Sequence, residues 1–171
     1  MKYLKYAKYL LLHRWFVMLE CFRHGLIWRG LIHDWHKHLP SEWFPYMEHF
    51  HGKEKKYLRE WEKNKGYYKP TDTGDPAFDL AWLRHAHKAD HHWQWWTQPE
   101  DSGGVKVLEM SPRARLEMVC DWCGASRAQG HGGWSGVEEW YAKNGGRMML
   151  GEGTRDWVEH FLSRKADGLE A

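Results

Sequence analysis

His33 and Asp34 stand side by side in the chain, and this pair is the clearest chemical signal in it. An imidazole beside a carboxylate suits Mn, Fe, Co, Ni or Zn better than calcium. Alone, the pair reads as an ordinary surface helix end, but other residues change that. His13 recurs with Leu10, Val17 and Glu20 at spacings of three and four, so it shares the core-facing stripe of a helix. Asp121 lies in LEMVCDWCGAS, an otherwise apolar helical run where a buried carboxylate needs a cation, a metal or several donors. Glu117 sits one turn before Asp121, either as a partner or ligand of the same ion or as a solvated residue paired with Arg113. Lys37 lies one turn beyond His33, where its ammonium can meet an anion bound to that ion, and Arg29 lies one turn before.

A third group is AWLRHAHKADHHWQWW, residues 81–96. On one continuous helix His85 and His92 share a face with Trp82, Ala89 and Trp96, while His87 and His91 share another. Both pairs cannot then point at one site. The expectation is that His85 and His92 line an enclosed pocket and that His87 faces solvent.

The elements that must carry these residues read almost entirely as helix. An amphipathic helix is expected over 3–24, broken by Gly25, and a second over 26–38, ending before Pro40. Ser41 opens a short third helix containing Pro45. The charged run KEKKYLREWEKN is expected to be helical and to lead into a Gly/Pro-rich loop, so that 52–75 forms a mobile insertion. Asp75-Pro76 starts a helix reaching about Trp96, and 97–110 is a loop. Ser111-Pro112 starts another, reaching about Gln129. Ser135 and Glu138 form a capping box for a helix ending near Asn144-Gly145, and Thr154 opens a last helix over 155–166. The fold class is all-α, a single bundle domain over 1–171 with about six to eight helices.

Composition narrows the function. Lys and Arg number 25 against 23 Asp and Glu, a net charge of +2, which excludes a dedicated duplex nucleic-acid binder but not a small anion held locally. The start, MKYLKYAKYLLLHRWFVMLECF, is interrupted by Lys5, Lys8, His13 and Arg14 and lacks a small-residue cleavage site, so it reads as a helix and not as a leader. With no apolar run long enough for a bilayer and only three cysteines, the expected setting is cytoplasmic, away from membranes. Self-association stays open. Cys120 and Cys123 make a CxxC with His131 downstream, but inside a helix they read as buried thiols. Tryptophans are abundant, at 13. Trp82, Trp93, Trp95 and Trp96 can stack a nucleobase or simply fill the core. Arg113, Arg115 and Arg155 read as surface charges.

Taken in chain order, His13, His33-Asp34, the histidine group and Asp121 resemble the HD superfamily of metal-dependent phosphohydrolases. The segment HDWHK also resembles the HDxxK form found in HD-GYP phosphodiesterases and HD-type di-iron oxygenases. Over nearly its full length the chain is similar to an uncharacterised phage and bacterial family sharing GLxxRGLxHDxSK, ExxPY, AWxxHxxxxxHHW, EMxxDW and WY. These stand here as GLIWRGLIHDWHK, EWFPY, AWLRHAHKADHHW, EMVCDW and Trp140-Tyr141. His36 replaces the usual serine and Ala89-Asp90 an Asn-Pro pair. The resemblance implies an HD-like bundle that hydrolyses a nucleotide or related phosphate ester. It implies His13, His33, Asp34 and Asp121 on a first ion, and Asp34 bridging to a second held by some of His85, His91 and His92. Lys37, Glu117 and His92 are the candidate catalytic residues. A di-iron oxygenase and a non-catalytic phage interaction protein are the rival expectations.

Overall fold

The longest apolar stripe in the chain sets the architecture. In a computed structural model describing residues 1–54 and 73–166, helix α1 (Lys2–Arg23) buries Tyr6, Leu10, His13, Val17, Glu20 and Cys21 along one side. Helix α2 (Ile27–Ile32), a 3-10 turn (Trp35–His38) and α3 (Pro40–His51) follow, then α4 (Pro76–Ala86) and a second 3-10 turn (Trp93–Trp96). Strands β1 (Thr97–Pro99) and β2 (Val105–Val107) precede α5 (Pro112–Ala128), α6 (Trp134–Asn144), a 3-10 turn (Gly145–Arg147) and α7 (Glu152–Ala166). The expected all-α bundle is therefore observed. Residues 55–64 of the expected helix and most of the 52–75 insertion lie outside the described residues. Among the described residues no helix is long and apolar enough to cross a membrane.

Among the described residues, Val17 and Cys21 of α1 pack on Cys120, and two larger apolar clusters lie beyond them. Tyr6 and Leu10 pack with Tyr46, Met47, Phe78 and Ala81 of α3 and α4, and Met118, Val119, Val137, Val158, Phe161 and Leu162 join α5, α6 and α7. Where α1 crosses α5, a glycine permits unusually close contact. A Cβ at Gly124 would lie 2.3 Å from Val17 Cγ2 and 2.7 Å from Val17 N. His13 lies one turn before Val17 and Asp121 one turn before Gly124, so this crossing brings the two facing residues together.

Five expectations need correction. The helix expected over 26–38 stops at Ile32, because His33 is extended and Asp34 takes the left-handed conformation at φ 52°. Aspartate tolerates that region better than most residues. The helix expected to reach Trp96 ends at Ala86. The 97–110 segment is a hairpin, with Thr97 opposite Val107, turning at Gly103 and Gly104. The final two helices start differently as well. Gly133 precedes α6, and Ser135 Oγ donates to Gly132 O at 3.3 Å instead of forming a capping box. Helix α7 opens at Glu152, where Glu109 accepts from Gly153 N at 3.1 Å and from Thr154 N at 2.7 Å. A cap supplied from a distant loop leaves no local signature.

Candidate metal centre

The break after α2 is what aims the doublet inward. Arg14 of α1 holds the freed carbonyls of that helix end, donating from Nε to His33 O at 3.0 Å and from Nη2 to Leu31 O at 3.2 Å. His33 and Asp34 are both buried. His13 Nε2 from α1 lies 3.2 Å from Asp121 Oδ1 and 3.7 Å from Asp34 Oδ2. His33 Nε2 lies 3.4 Å from each of the same two oxygens. Two imidazoles and two carboxylates from three separate elements thus converge.

A second set adjoins the first. His85 is the last buried ring of α4, and the chain then turns so that His91 and His92 face back toward it. His85 Nε2 and His91 Nε2 each lie 3.5 Å from Asp34 Oδ1, and His92 Nε2 lies 2.7 Å from His85 Nε2. His91 does not lie with His87 on an outer face, as a continuous helix would require; only His87 is exposed. The turn is pinned by Asp90, which pairs with Arg29 and whose carbonyl accepts from Trp96 Nε1 at 2.7 Å. Asp90 therefore anchors the histidine turn.

Carboxylates behind the rings fix which nitrogen carries the proton. Glu117 Oε1 lies 2.8 Å from His33 Nδ1 and 3.2 Å from His91 Nδ1, and its other oxygen pairs with Arg29. The first contact holds one ring of the first set, the second one ring of the second. Glu42 Oε2 lies 3.1 Å from His85 Nδ1 and 3.3 Å from His36 Nδ1. With the proton on Nδ1, each of His33, His85 and His91 turns a bare Nε2 inward, the arrangement in which a carboxylate orients a metal-binding histidine. Burial pushes the Glu117 and Glu42 carboxyls up, but the histidine hydrogen bonds outweigh it and hold both below the usual range.

The residues fit a metal. His13 Nε2, His33 Nε2, His91 Nε2 and Asp34 Oδ1 are buried without a hydrogen bond, a costly state unless a cation completes them. Donors about 2.1 Å from one tetrahedral ion stand about 3.4 Å apart, close to the 3.2–3.7 Å found in the first set. Both sets have donor atoms that all lie within 4.8 Å of one another. These buried clusters can hold a metal ion.

The sets differ electrically. Burial pulls His33 down, yet Asp34, Asp121 and Glu117 outweigh it and push its pKa well above the ordinary value; the carboxylates seek a positive charge there. Burial dominates in the second set, taking His85 down to about 3 and His92 well below its ordinary value. Burial pushes the Asp34 carboxyl up, but His33, Lys37 and His85 hold it well down. Lys37 Nζ is 2.6 Å from Asp34 Oδ2. It also lines a cavity of about 400 Å³ that reaches His13, His91, His92 and Asp121.

All seven expected metal ligands therefore meet around Asp34. Of the candidate catalytic residues, Lys37 and His92 border the cavity, and Glu117 stands behind the rings. Glu117 is buried and pairs with Arg29, so the alternative of a solvated residue paired with Arg113 does not hold. Cys120 and Cys123 are buried free thiols as expected. Sequence reasoning missed Glu42. Glu42 shares a helix face with Tyr46, which is buried four residues on, and that spacing within EWFPY was the available signal.

A model of the family of unknown function DUF5662 matches residues 2–164, and the chain belongs to that family. No curated protein matches the chain, and neither does any solved structure.

Proposed function

We propose that this member of the DUF5662 family is a metal-dependent hydrolase of phosphate esters, as its resemblance to the HD superfamily implies. The observation that carries this reading is Asp34. Its two oxygens face two different donor sets, Oδ2 toward His13 and His33 and Oδ1 toward His85 and His91. A carboxylate so placed suits a bridge between two divalent ions of the Mn, Fe, Co, Ni or Zn class. His13, His33, Asp34 and Asp121 would hold one, and Asp34, His85, His91 and His92 the other. Such ions supply a bound water acidic enough to lose its proton near neutrality.

Charge favours an anionic substrate. Two divalent ions would outweigh the two carboxylates among the proposed ligands, Asp34 and Asp121, and Lys37 adds to that field at the cavity wall. A phosphate ester brings the compensating charge. Lys37 stands where it can neutralise negative charge growing on phosphate oxygens as water adds to phosphorus and the ester P–O bond breaks. The proton that the attacking water gives up balances the one the departing alcohol takes, and His92, kept neutral by burial, serves as a ligand of the second set. Glu117 and Glu42 hold the ring tautomers and need not touch substrate.

The test is metal analysis of purified protein, followed by phosphate release from a panel of phosphate esters with Mn, Co or Mg. The reading expects bound transition metal and turnover that falls at least about a hundredfold in Asp34→Asn. Oxygen consumption by iron-loaded protein, without phosphate release, would contradict it and favour the oxygenase.

A further inference from the structure

The outer surface of the α1–α2 pair is apolar and carries one sign of charge. Leu4, Leu11 and Trp15 recur at spacings of seven and four along α1, on the side opposite its buried stripe, with Lys8 among them. Helix α2 lies against α1 through Gly30, where a Cβ would stand 2.8 Å from Cys21 Cβ, and Arg29 turns toward Glu117 of α5. With neighbours about 100° apart around a helix, Ile27 and Leu31 then point out on the same side as the α1 stripe, and Trp28 stands at its edge. These six apolar side chains are 46–76% exposed. Neither helix exposes a carboxylate. Residues 1–41 hold seven Lys and Arg against two carboxylates, Glu20 and Asp34, both buried, whereas the whole chain holds 25 against 23.

We infer that this face lies on an anionic lipid bilayer, with α1 flat in the interface and Trp15 and Trp28 at headgroup depth. A helix that turns Trp and Leu outward beside lysines has the interfacial pattern, and it needs no spanning segment. Charge selects the partner. A second copy of the chain would set like charges against each other across a twofold axis. Negative lipid headgroups instead complement Lys5 and Lys8, which are both exposed. The apolar contacts are spread along about 16 Å of α1 and are not gathered in one spot. Protein hot spots cluster in matched pockets, whereas a fluid surface receives side chains that protrude singly. His13 sits on the opposite, buried stripe of α1. Docking and the metal centre thus use opposite sides of one helix, and the inference stands apart from the hydrolase reading.

The experiment sediments the full chain with vesicles of phosphatidylcholine alone, or with about a third phosphatidylserine, while tryptophan fluorescence is read. The inference expects binding at least about tenfold tighter to the anionic vesicles, a blue shift of the emission, and release by salt. Replacing Leu11→Ala and Trp15→Ala together should weaken binding by about tenfold or more. Lys5→Gln with Lys8→Gln should remove most of the preference for anionic lipid. Metal content should stay unchanged in both variants. Binding to neither vesicle, or equal binding to both, would overturn the inference. So would binding to polyglutamate as tight as to the anionic vesicles, since an acidic protein would then suffice. A dimer in light scattering that Trp15→Ala dissociates, without vesicle binding, would give the face to a second copy and overturn it as well.

Discussion

The two donor sets share Asp34 but are built by different means. The first draws His13 from α1, Asp121 from α5 and His33 from the end of α2, so it depends on helices crossing at Val17 and Gly124. The second draws His85, His91 and His92 from one helix end and the turn after it, so it depends on a local fold pinned by Asp90 and Arg29. The first holds two carboxylates and attracts positive charge. The second holds one carboxylate and three imidazoles, and burial keeps His85 and His92 neutral. The comparison teaches that one site can combine a strongly cation-seeking half with a softer, weaker half, and that the two should be separable.

Asp34→Asn breaks the comparison itself, because it removes the only ligand common to both sets. Metal content measured by mass spectrometry should fall from two ions to none, with activity down by at least about a hundredfold. Separation comes next. Asp121→Asn should abolish the tighter binding event in calorimetry, while His92→Ala should spare it and abolish the weaker one. If both variants lose the same event, the sets are not distinct. Smaller effects should come from the carboxylates behind the rings. Glu117→Gln should weaken both binding events by about ten- to a hundredfold, whereas Glu42→Gln should weaken only the second. That contrast follows from Glu117 touching His33 and His91, while Glu42 touches His85 and His36.

The same division decided what the sequence could reveal. The first set was legible because His13 and Asp121 sit inside long helices whose buried faces repeat at three and four residues. The second was not. Helical periodicity carried past Ala86 separates His91 from His85 and His92, and only the early end of α4 reunites them. Nothing local predicts that end; Arg29, far away in the chain, holds the turn. The doublet was found, but the reason it converges was not, since the left-handed Asp34 depends on Arg14 securing the carbonyls around it. Glu42 was overlooked because a carboxylate in a first helical turn ordinarily answers to the helix dipole.

The smallest effect lies outside the centre and serves as its control. Glu109 caps α7 through Gly153 and Thr154, and the hydroxyl of Thr154, foremost, holds its carboxyl below the ordinary 4.5. A lowered folded pKa means the stabilisation is present above about pH 4.5 and is lost as pH falls through the folded value. Glu109→Ala should therefore lower the melting temperature near neutrality by about 2–4 °C, for about 1 kcal/mol of lost capping. The difference should close in acid, and metal binding should be unchanged.

The most direct test of the centre is anomalous X-ray scattering from crystals grown with Mn or Zn. The account predicts two peaks flanking Asp34, one bonded to His13, His33 and Asp121 and the other to His85, His91 and His92. A map with no peak at Asp34, or with metal bound only at other residues, would contradict it.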